Sequence, residues 1–438
     1  MNWMLKLHQR WHDYTLFEKL TSCTLFLFPI FAVSVRHWVS SLFGVLVLFG
    51  LINLFRKQEK IRPLQKEEMF LIAIIVGYFS VFLISSAASG WGQSGTYALG
   101  TEIKYLLAIP IYLMLRNIRG EERYLLAGSI LAVLVGGIQG LLDVYVFVVP
   151  EYYGHIHAWG AYGHLFIGPV TLLMVGLMIP ATRVLRLDKR IWPVLVAVGL
   201  LGLATVILSL ARSAYLGFVV ISVLSILYYL RWKKATVVIV IITVLVVFSY
   251  IISDKVQNRI NDGVSEVTNY FDTLKKYPGQ PEKYSARSSL GTRLEMWRST
   301  QYFFAEAPWF GVGRFNYKSK AQEYVNQGLA NQVIANHSHP HNAYIEMIMS
   351  KGIFGLLALL LLMYYPLYVF IKTRNASRDS AFAGIVLITA YTIFSLTEAS
   401  TFIKNNFVAI YLVYLSVFFS WHLREVYKVE SQKVPLSQ

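Results

Sequence analysis

Charge is scarce in this chain. Asp, Glu, Lys and Arg make up 15% of its 438 residues, where a soluble domain carries about 25%. Hydrophobic residues reach 56%, and the mean hydropathy is +0.51. So little charge cannot cover a soluble surface, which excludes soluble-enzyme, disordered and fibrous classes and leaves a polytopic membrane protein. Cysteine is scarcer still. With Cys23 alone, no intramolecular disulfide and no cysteine zinc site can form, so any part outside the membrane must hold together by packing. Acid is in deficit too, with 24 Asp+Glu against 40 Lys+Arg and a formal net charge of +16. On a soluble chain that balance would point to nucleic acid. On a membrane chain it reports topology first, and no nucleic-acid partner is needed to explain it.

Long apolar runs are what the chain has in place of charge. A hydrocarbon core of about 30 Å needs roughly 20 apolar residues per helix, and twelve stretches qualify: 20–35, 39–55, 69–87, 101–115, 124–149, 161–181, 192–210, 213–230, 236–252, 343–371, 381–397 and 404–421. The expected fold is all-α, with a nine-helix region over 1–252, a loop subdomain over 253–340, three C-terminal helices over 341–421 and a tail over 422–438. The fifth and tenth runs are long enough to kink or tilt. Lys6, Arg10 and Lys19 precede the first apolar run without a small-residue cleavage site after it, so that run is expected to stay as an anchor. Alternate connections hold 24 of the 40 Lys and Arg, as in Arg56, Lys57, Lys60, Arg62 and Lys66. The positive-inside rule then puts both termini in the cytoplasm, with Arg36, Lys104, Arg212, Lys351 and Lys404 near the opposite boundary.

Residues 253–340 are too long and too polar for a simple connection. Within them, VQNRINDGVSEVTNYFDTLKKY reads as an amphipathic helix and GTRLEMWRSTQYFFAEA as a second. YPGQPEKYSARSSLG between them is rich in Pro, Gly and Ser and reads as a connection. The first helix suits the headgroup interface as well as it suits substrate contact.

Candidate chemistry gathers at the same boundary. Arg212, in LSLARSAYLGF, interrupts two apolar runs where the positive-inside bias disfavours it. An arginine there is a snorkelling helix end or a functional group, and intramembrane ionisable residues default to the second. Arg293, with Glu295 and Trp297, opens the second loop helix, and Arg298 and Arg314 follow. Taken alone, these residues suit a solvated face. The run Asn336-His337-Ser338-His339-Pro340-His341-Asn342 closes the loop. Alternating histidines suggest a metal site, but no acidic or cysteine ligand clusters beside them, so no metal is expected. A neutral imidazole also suits removal of a proton from a sugar hydroxyl. His155, His157 and His164 carry less information. Asp143 is the clearest mid-helix charge. Gly352 and Gly355, three apart in an apolar run, predict close approach by another helix.

At these residues the chain resembles the O-antigen ligase and polymerase family of bacterial envelope glycosyltransferases. The family pattern of His, then Asn, Ser or Gln, nine residues, Gly, two residues and Gly is met by His341-Asn342, Gly352 and Gly355. RSAYLGF at Arg212 and GTRLEMW followed by PWFGVGRFNY extend the likeness, with Pro308, Gly311 and Gly313 giving the family's Pro-x-x-Gly-x-Gly turn. The likeness covers roughly 205–360 and leaves the first six helices similar in hydropathy only.

What the resemblance implies is a fold similar to GT-C-type glycosyltransferases and a transfer at the periplasmic face of a Gram-negative inner membrane. A glycan on undecaprenyl diphosphate passes to an acceptor hydroxyl, and no cofactor takes part. Family members differ in acceptor: lipid A-core for ligases, a second lipid-linked repeat for polymerases, a protein hydroxyl for oligosaccharyltransferases. The length and single moderate loop look most like the lipopolysaccharide ligase. Departure of a diphosphate calls for fixed cations, for which Arg212 and Arg293 are the candidates. Activation of the hydroxyl calls for a base, for which His341 or His339 is the candidate. Glu295, Arg298, Arg314, His337 and Asn342 complete the expected substrate-binding set, with Glu295 orienting an arginine or the histidine. Membrane lipids are the remaining partners. A transporter or flippase shares the helix count, but such proteins show paired halves around a midplane site. A structural membrane component would leave the outer histidines and arginines unexplained.

Overall fold

A computed structural model describes residues 14–56, 62–147, 157–236 and 254–433. It is helical throughout, with no strand among the described residues. Eight helices come first: α1 (Leu16–Ser34), α2 (Trp38–Phe55), α3 (Lys66–Ala88), α4 (Gly92–Leu115), α5 (Glu121–Tyr145), α6 (His164–Val184), α7 (Trp192–Leu208) and α8 (Arg212–Tyr229). The loop region supplies α9 (Asp254–Lys276), α10 (Ser289–Glu306) and α11 (Tyr317–Asn326). The chain then returns through α12 (Ala343–Lys372), α13 (Arg378–Thr397), the single turn α14 (Ser400–Ile403) and α15 (Asn405–Lys433). Among the described residues, 11 helices are long and apolar enough to cross a membrane, namely α1–α8, α12, α13 and α15. The expected ninth span, 236–252, lies outside the described residues apart from Thr236.

Burial ranks the helices. The apolar stretch of α15 is 94% buried and those of α6 and α13 are 78% buried, against 22% for α7 and α8. The last helix is therefore the centre of the bundle. Its aromatic side chains Phe407, Tyr411, Tyr414, Phe418 and Phe419 belong to one core with Phe28, Tyr105, Tyr112, Tyr391 and Phe394.

Arginines from the basic connections tie helix ends together. Arg116 is paired with Glu68 at 2.9 Å and donates to the carbonyls of Arg62 and Pro63. Arg424 is paired with Glu122 at 2.7 Å and donates to the carbonyls of Leu115 and Ile118. Guanidinium donors thus satisfy orphan carbonyls at the helix ends, where the macrodipole also favours positive charge. Asp143 lies in the penultimate turn of α5, where its carboxylate accepts from the backbone N–H of Trp159 (2.9 Å) and Gly160 (2.7 Å). The charges buried deepest within spans are instead Glu102 on α4 and Lys351 on α12. Lys351 Nζ lies 2.8 Å from Glu102 Oε1 and donates to the Tyr78 hydroxyl at 3.1 Å.

The loop helices form a small core of their own from Met296, Phe303, Tyr317, Tyr324 and Ile334, joined by Met349 of α12. Phe303 and Tyr317 stack at 5.4 Å between ring centroids. Both loop helices read from the sequence are present, as α9 and α10. Ser288 caps α10 by accepting from the N–H of Gly291 at 3.1 Å.

Candidate functional site

The entry into α12 is built by two interlocking motifs. Asn342 is the N-cap, its Oδ1 accepting from the N–H of Tyr344 (3.0 Å) and Ile345 (3.1 Å). Its Nδ2 donates to the carbonyl of Leu396 at 3.0 Å, which fixes the end of α13 beside the histidine run. Trp297 of α10 donates from Nε1 to the carbonyl of Pro340 at 3.0 Å, tying the loop subdomain to the same run.

Nine residues beyond Asn342, α12 breaks at Gly352, whose φ of 66° and ψ of −162° no helix contains. The break leaves carbonyls and N–H groups without helical partners, and the turn Pro308–Gly313 takes them all. Val312 and Gly313 donate to the carbonyls of Met349 (2.9 Å) and Ser350 (3.1 Å), while Ile353 and Phe354 donate to those of Pro308 (2.9 Å) and Trp309 (3.3 Å). The close approach at Gly352 is therefore made by a loop backbone, where the glycine spacing alone suggested another helix. A Cβ on Gly355 would instead meet Lys351 of its own helix at 2.2 Å.

Above this joint lies a cluster of ionisable side chains. His341 has φ 53°, a left-handed conformation that costs a side-chain-bearing residue on the order of 1–3 kcal/mol and gathers at functional sites. Its ring centroid is 4.6 Å from that of His339 and 5.5 Å from that of His337. Glu398, buried just past the end of α13, faces both inner rings. Its Oε2 lies 3.6 Å from His341 Nδ1 and its Oε1 lies 3.9 Å from His339 Nε2. Ser400 holds that carboxylate from the other side, donating from its N–H (3.0 Å) and hydroxyl (2.7 Å) to Oε1. Burial alone would push the Glu398 carboxyl up, but His341, His339 and the Ser400 hydroxyl together hold it well below the usual range, so it is ionised. Burial pushes His339 down to about 4, partly opposed by the Glu398 charge. His337 is lowered by burial and by its neighbours His341 and Arg293.

Arg293 and Arg212 join this cluster from different elements. Burial, opposed by Glu398 and reinforced by repulsion from Arg212, lowers the Arg293 guanidinium, so the three charges lie within electrostatic reach of one another. Arg212 opens α8, whose Ser213, Ala214 and Gly217 are buried. At Gly217 an added Cβ would meet Leu172 of α6 at 2.8 Å and Phe394 of α13 at 3.2 Å. Small residues let α8 settle against those two helices with its first residue at the cluster. His164, at the start of α6, is also within reach of the Glu398 charge, and its ring lies 4.8 Å from that of His157.

Three residues of the expected set take their partners elsewhere. Glu295 is fully buried in the loop subdomain, accepting from Arg298 (2.7 Å), the Tyr270 hydroxyl (2.7 Å) and the N–H of Asn331 (3.0 Å). Arg298 completes that contact and donates to the carbonyl of Leu329. Arg314 is buried against Glu102 and the carbonyl of Ile403. Glu398 is the residue that sequence reasoning missed. It brings to the histidines the carboxylate whose absence from the neighbouring sequence argued against a metal, and His339, His341 and Glu398 place one ligand atom each within 4.8 Å of one another. That argument against a metal no longer stands.

Fold and cluster together define a multi-pass α-helical membrane protein whose arginines, histidines and one carboxylate meet between the bundle and a helical loop subdomain. Residues 196–360 match the family model described as O-antigen ligase, nearly the range that carried the resemblance, and the chain thus bears the region that marks that family. It is also similar to an uncharacterized protein of Haemophilus influenzae, 24% identical over 373 residues that cover 83% of this chain and 88% of that protein. The family is one of O-antigen ligase and polymerase type glycosyltransferases that use lipid-linked substrates in the membrane.

Proposed function

We propose that the protein is an O-antigen ligase that transfers a glycan from undecaprenyl diphosphate to a sugar hydroxyl of lipid A-core at the periplasmic face of the inner membrane. The observation that carries this reading is the convergence of Arg212, Arg293 and the His337–His341 run on Glu398. Two like charges held within reach of each other in a partly buried place call for an anion between them. A diphosphate is such an anion, and guanidinium forks grip its oxygens in pairs.

In the proposed reaction the acceptor oxygen bonds to the anomeric carbon as the bond from that carbon to the diphosphate oxygen breaks. The electron pair leaves on the diphosphate, where Arg212 and Arg293 stabilise the charge that develops. The acceptor proton passes to His341, a general-base contribution on the order of 10²–10⁴ in rate. One such displacement inverts the anomeric centre. The depressed pKa of His339 supports a neutral ring beside the base.

The test is incubation of purified protein with a defined lipid-linked glycan and, in separate reactions, lipid A-core, a second lipid-linked repeat and a hydroxyl-bearing peptide. Product on lipid A-core is expected, and product on either other acceptor alone would make the protein a polymerase or a protein glycosyltransferase. His341→Ala should abolish transfer without loss of expression or insertion. Near-normal transfer by that variant would remove His341 from the mechanism. Movement of the lipid-linked glycan across a vesicle membrane without transfer would make the protein a flippase.

A further inference from the structure

Resting on that reading, the inference below concerns what selects one imidazole nitrogen as the base. His339 and His341 are adjacent rings in one loop, and spacing alone cannot tell them apart. Their hydrogen-bond geometry can. A neutral imidazole has one N–H and one lone pair, and the partner of the first decides where the second is left.

At His339 the lone pair is already engaged, because the backbone N–H of His341 donates to His339 Nδ1 at 3.4 Å. The ring proton must then sit on Nε2, which is the nitrogen that faces Glu398 Oε1 at 3.9 Å. At His341 the nitrogen that faces Glu398 is Nδ1, at 3.6 Å from Oε2. That nitrogen is buried and has no hydrogen-bond partner among the described residues. An ionised carboxylate is a pure acceptor, so the stable arrangement puts the His341 proton on Nδ1. The lone pair of His341 is then on Nε2. Both contacts to Glu398 exceed hydrogen-bond length, as such contacts often do before substrate binding tightens them.

We infer that Glu398 is the positioning residue that sets the tautomer and ring orientation of both histidines, occupying His339 and leaving Nε2 of His341 as the nitrogen that accepts the hydroxyl proton. The left-handed backbone at His341 is part of the same device. It turns the His341 N–H back onto His339, and the Asn342 bond to Leu396 holds the Glu398 segment in register. After proton transfer His341 is a cation beside an ionised carboxylate, which stabilises it as it forms. The other charged and titratable groups facing this pair are Arg293, His337, Lys404 and His164.

Two measurements on the full-length protein in nanodiscs test the assignment. The first needs no turnover. Imidazole ¹⁵N spectra of histidine-labelled protein, with His339→Asn and His341→Asn used for assignment, should show His341 protonated on Nδ1 and His339 on Nε2. In Glu398→Gln the two rings should become tautomeric mixtures. A wild-type His341 protonated mainly on Nε2 overturns the inference whatever the protein transfers.

The second is kinetic, using lipid-linked glycan and the acceptor found active. Glu398→Gln keeps an oxygen that can accept from Ser400, and should lower kcat roughly 10- to 100-fold with KM for the donor little changed. Glu398→Asp should recover part of that loss. His339→Asn, whose amide oxygen can still accept from His341, should stay within about tenfold of wild type, while His341→Asn should be inactive. Equal kcat in Glu398→Gln and wild type overturns the inference and leaves the proposed transfer standing. Absence of transfer by wild type on every acceptor removes the proposed function, and the tautomer measurement still decides the role of Glu398. Loss of transfer with a strong chelator, restored by one divalent cation, would replace the base by a metal held on His339, His341 and Glu398.

Discussion

Gly311 and Gly352 meet backbone to backbone: a Cβ on Gly311 would lie 2.7 Å from the amide nitrogen of Gly352, and one on Gly352 would lie 2.3 Å from the carbonyl carbon of Trp309. Both residues also have φ near 70°. The two glycine motifs of the sequence are therefore one joint, in which a loop turn supplies the hydrogen bonds that a broken membrane helix lacks. The histidine run sits one short helical segment from that joint.

Gly311→Ala and Gly352→Ala should each lower the unfolding temperature in detergent and remove most transfer, because the added methyl meets backbone that cannot move aside. Gly328→Ala is the control. It shares a φ of 71° but has nothing within 4 Å of an added Cβ, so it should lose only the left-handed strain of roughly 1–2 kcal/mol and keep its activity. Equal behaviour of the three variants would reduce the joint to ordinary backbone strain.

The arginine pair predicts a charge-independent requirement for shape. Arg212→Lys and Arg293→Lys keep the cation but lose the bidentate fork. Charge-assisted hydrogen bonds contribute about 1.5–3 kcal/mol, so each variant should lose roughly 10- to 100-fold in initial rate, read with donor binding in nanodiscs. Lys275 and Lys276, at the end of α9, should tolerate substitution. Full activity in Arg293→Lys would return that residue to a solvated face.

The sequence carried the bundle and the two ends of the site, but not what joins them. Hydropathy marks each span because a membrane helix must be apolar over its whole length, and Arg212 stands out because it breaks that rule. His341 and Gly352 sit in a spaced motif. Glu398 has no such flag. It follows an apolar run in the unremarkable segment Thr397-Glu398-Ala399-Ser400, and only folding α13 beside the loop brings it to the histidines. Its one signal was a carboxylate between two spans, where an unpaired charge is costly. Lys351 read as a boundary residue for a related reason. Periodicity cannot show that α12 breaks beside it and that Glu102, far away in sequence, turns toward it. Glu295 shows the opposite case, a residue near motif positions whose partners lie within the loop subdomain.

Acid should weaken the fold through His339. Burial lowers its pKa from an ordinary 6.5 to about 4, so between those values the unfolded chain binds a proton that the folded chain does not. Stability then rises with pH across that window and is complete above about 6.5. Thermal unfolding measured from pH 4 to 8 should show this slope in the wild type and a flatter one in His339→Asn. His337, lowered in the same direction, keeps the slope from vanishing. Glu398 acts lower: its contribution is present above the ordinary carboxylate value and is lost as pH falls below it, so Glu398→Gln should flatten the acid limb below about 4.5. Identical slopes for His339→Asn and wild type would mean that the ring is not held neutral by burial.

The last prediction orders three substitutions in the buried network under the joint. Glu102 accepts from both Arg314 and Lys351, and all three side chains are at most 3% exposed. Removing one member of a buried pair costs about 3–5 kcal/mol because a charge is left without a partner. The network makes that cost unequal. Lys351→Met leaves Glu102 paired with Arg314, so the expected loss is small and includes the hydrogen bond to Tyr78. Glu102→Gln leaves two cations facing each other with no counter-charge and should be the most destabilising, with low expression and a lowered unfolding temperature. Glu102→Gln combined with Lys351→Met leaves one cation and should fall between them. Because Arg314 directly follows the Pro308–Gly313 turn and Lys351 directly precedes Gly352, the same order should appear in transfer by the protein that does fold. A Lys351→Met variant less stable than Glu102→Gln would show that Lys351, rather than the carboxylate, carries the network.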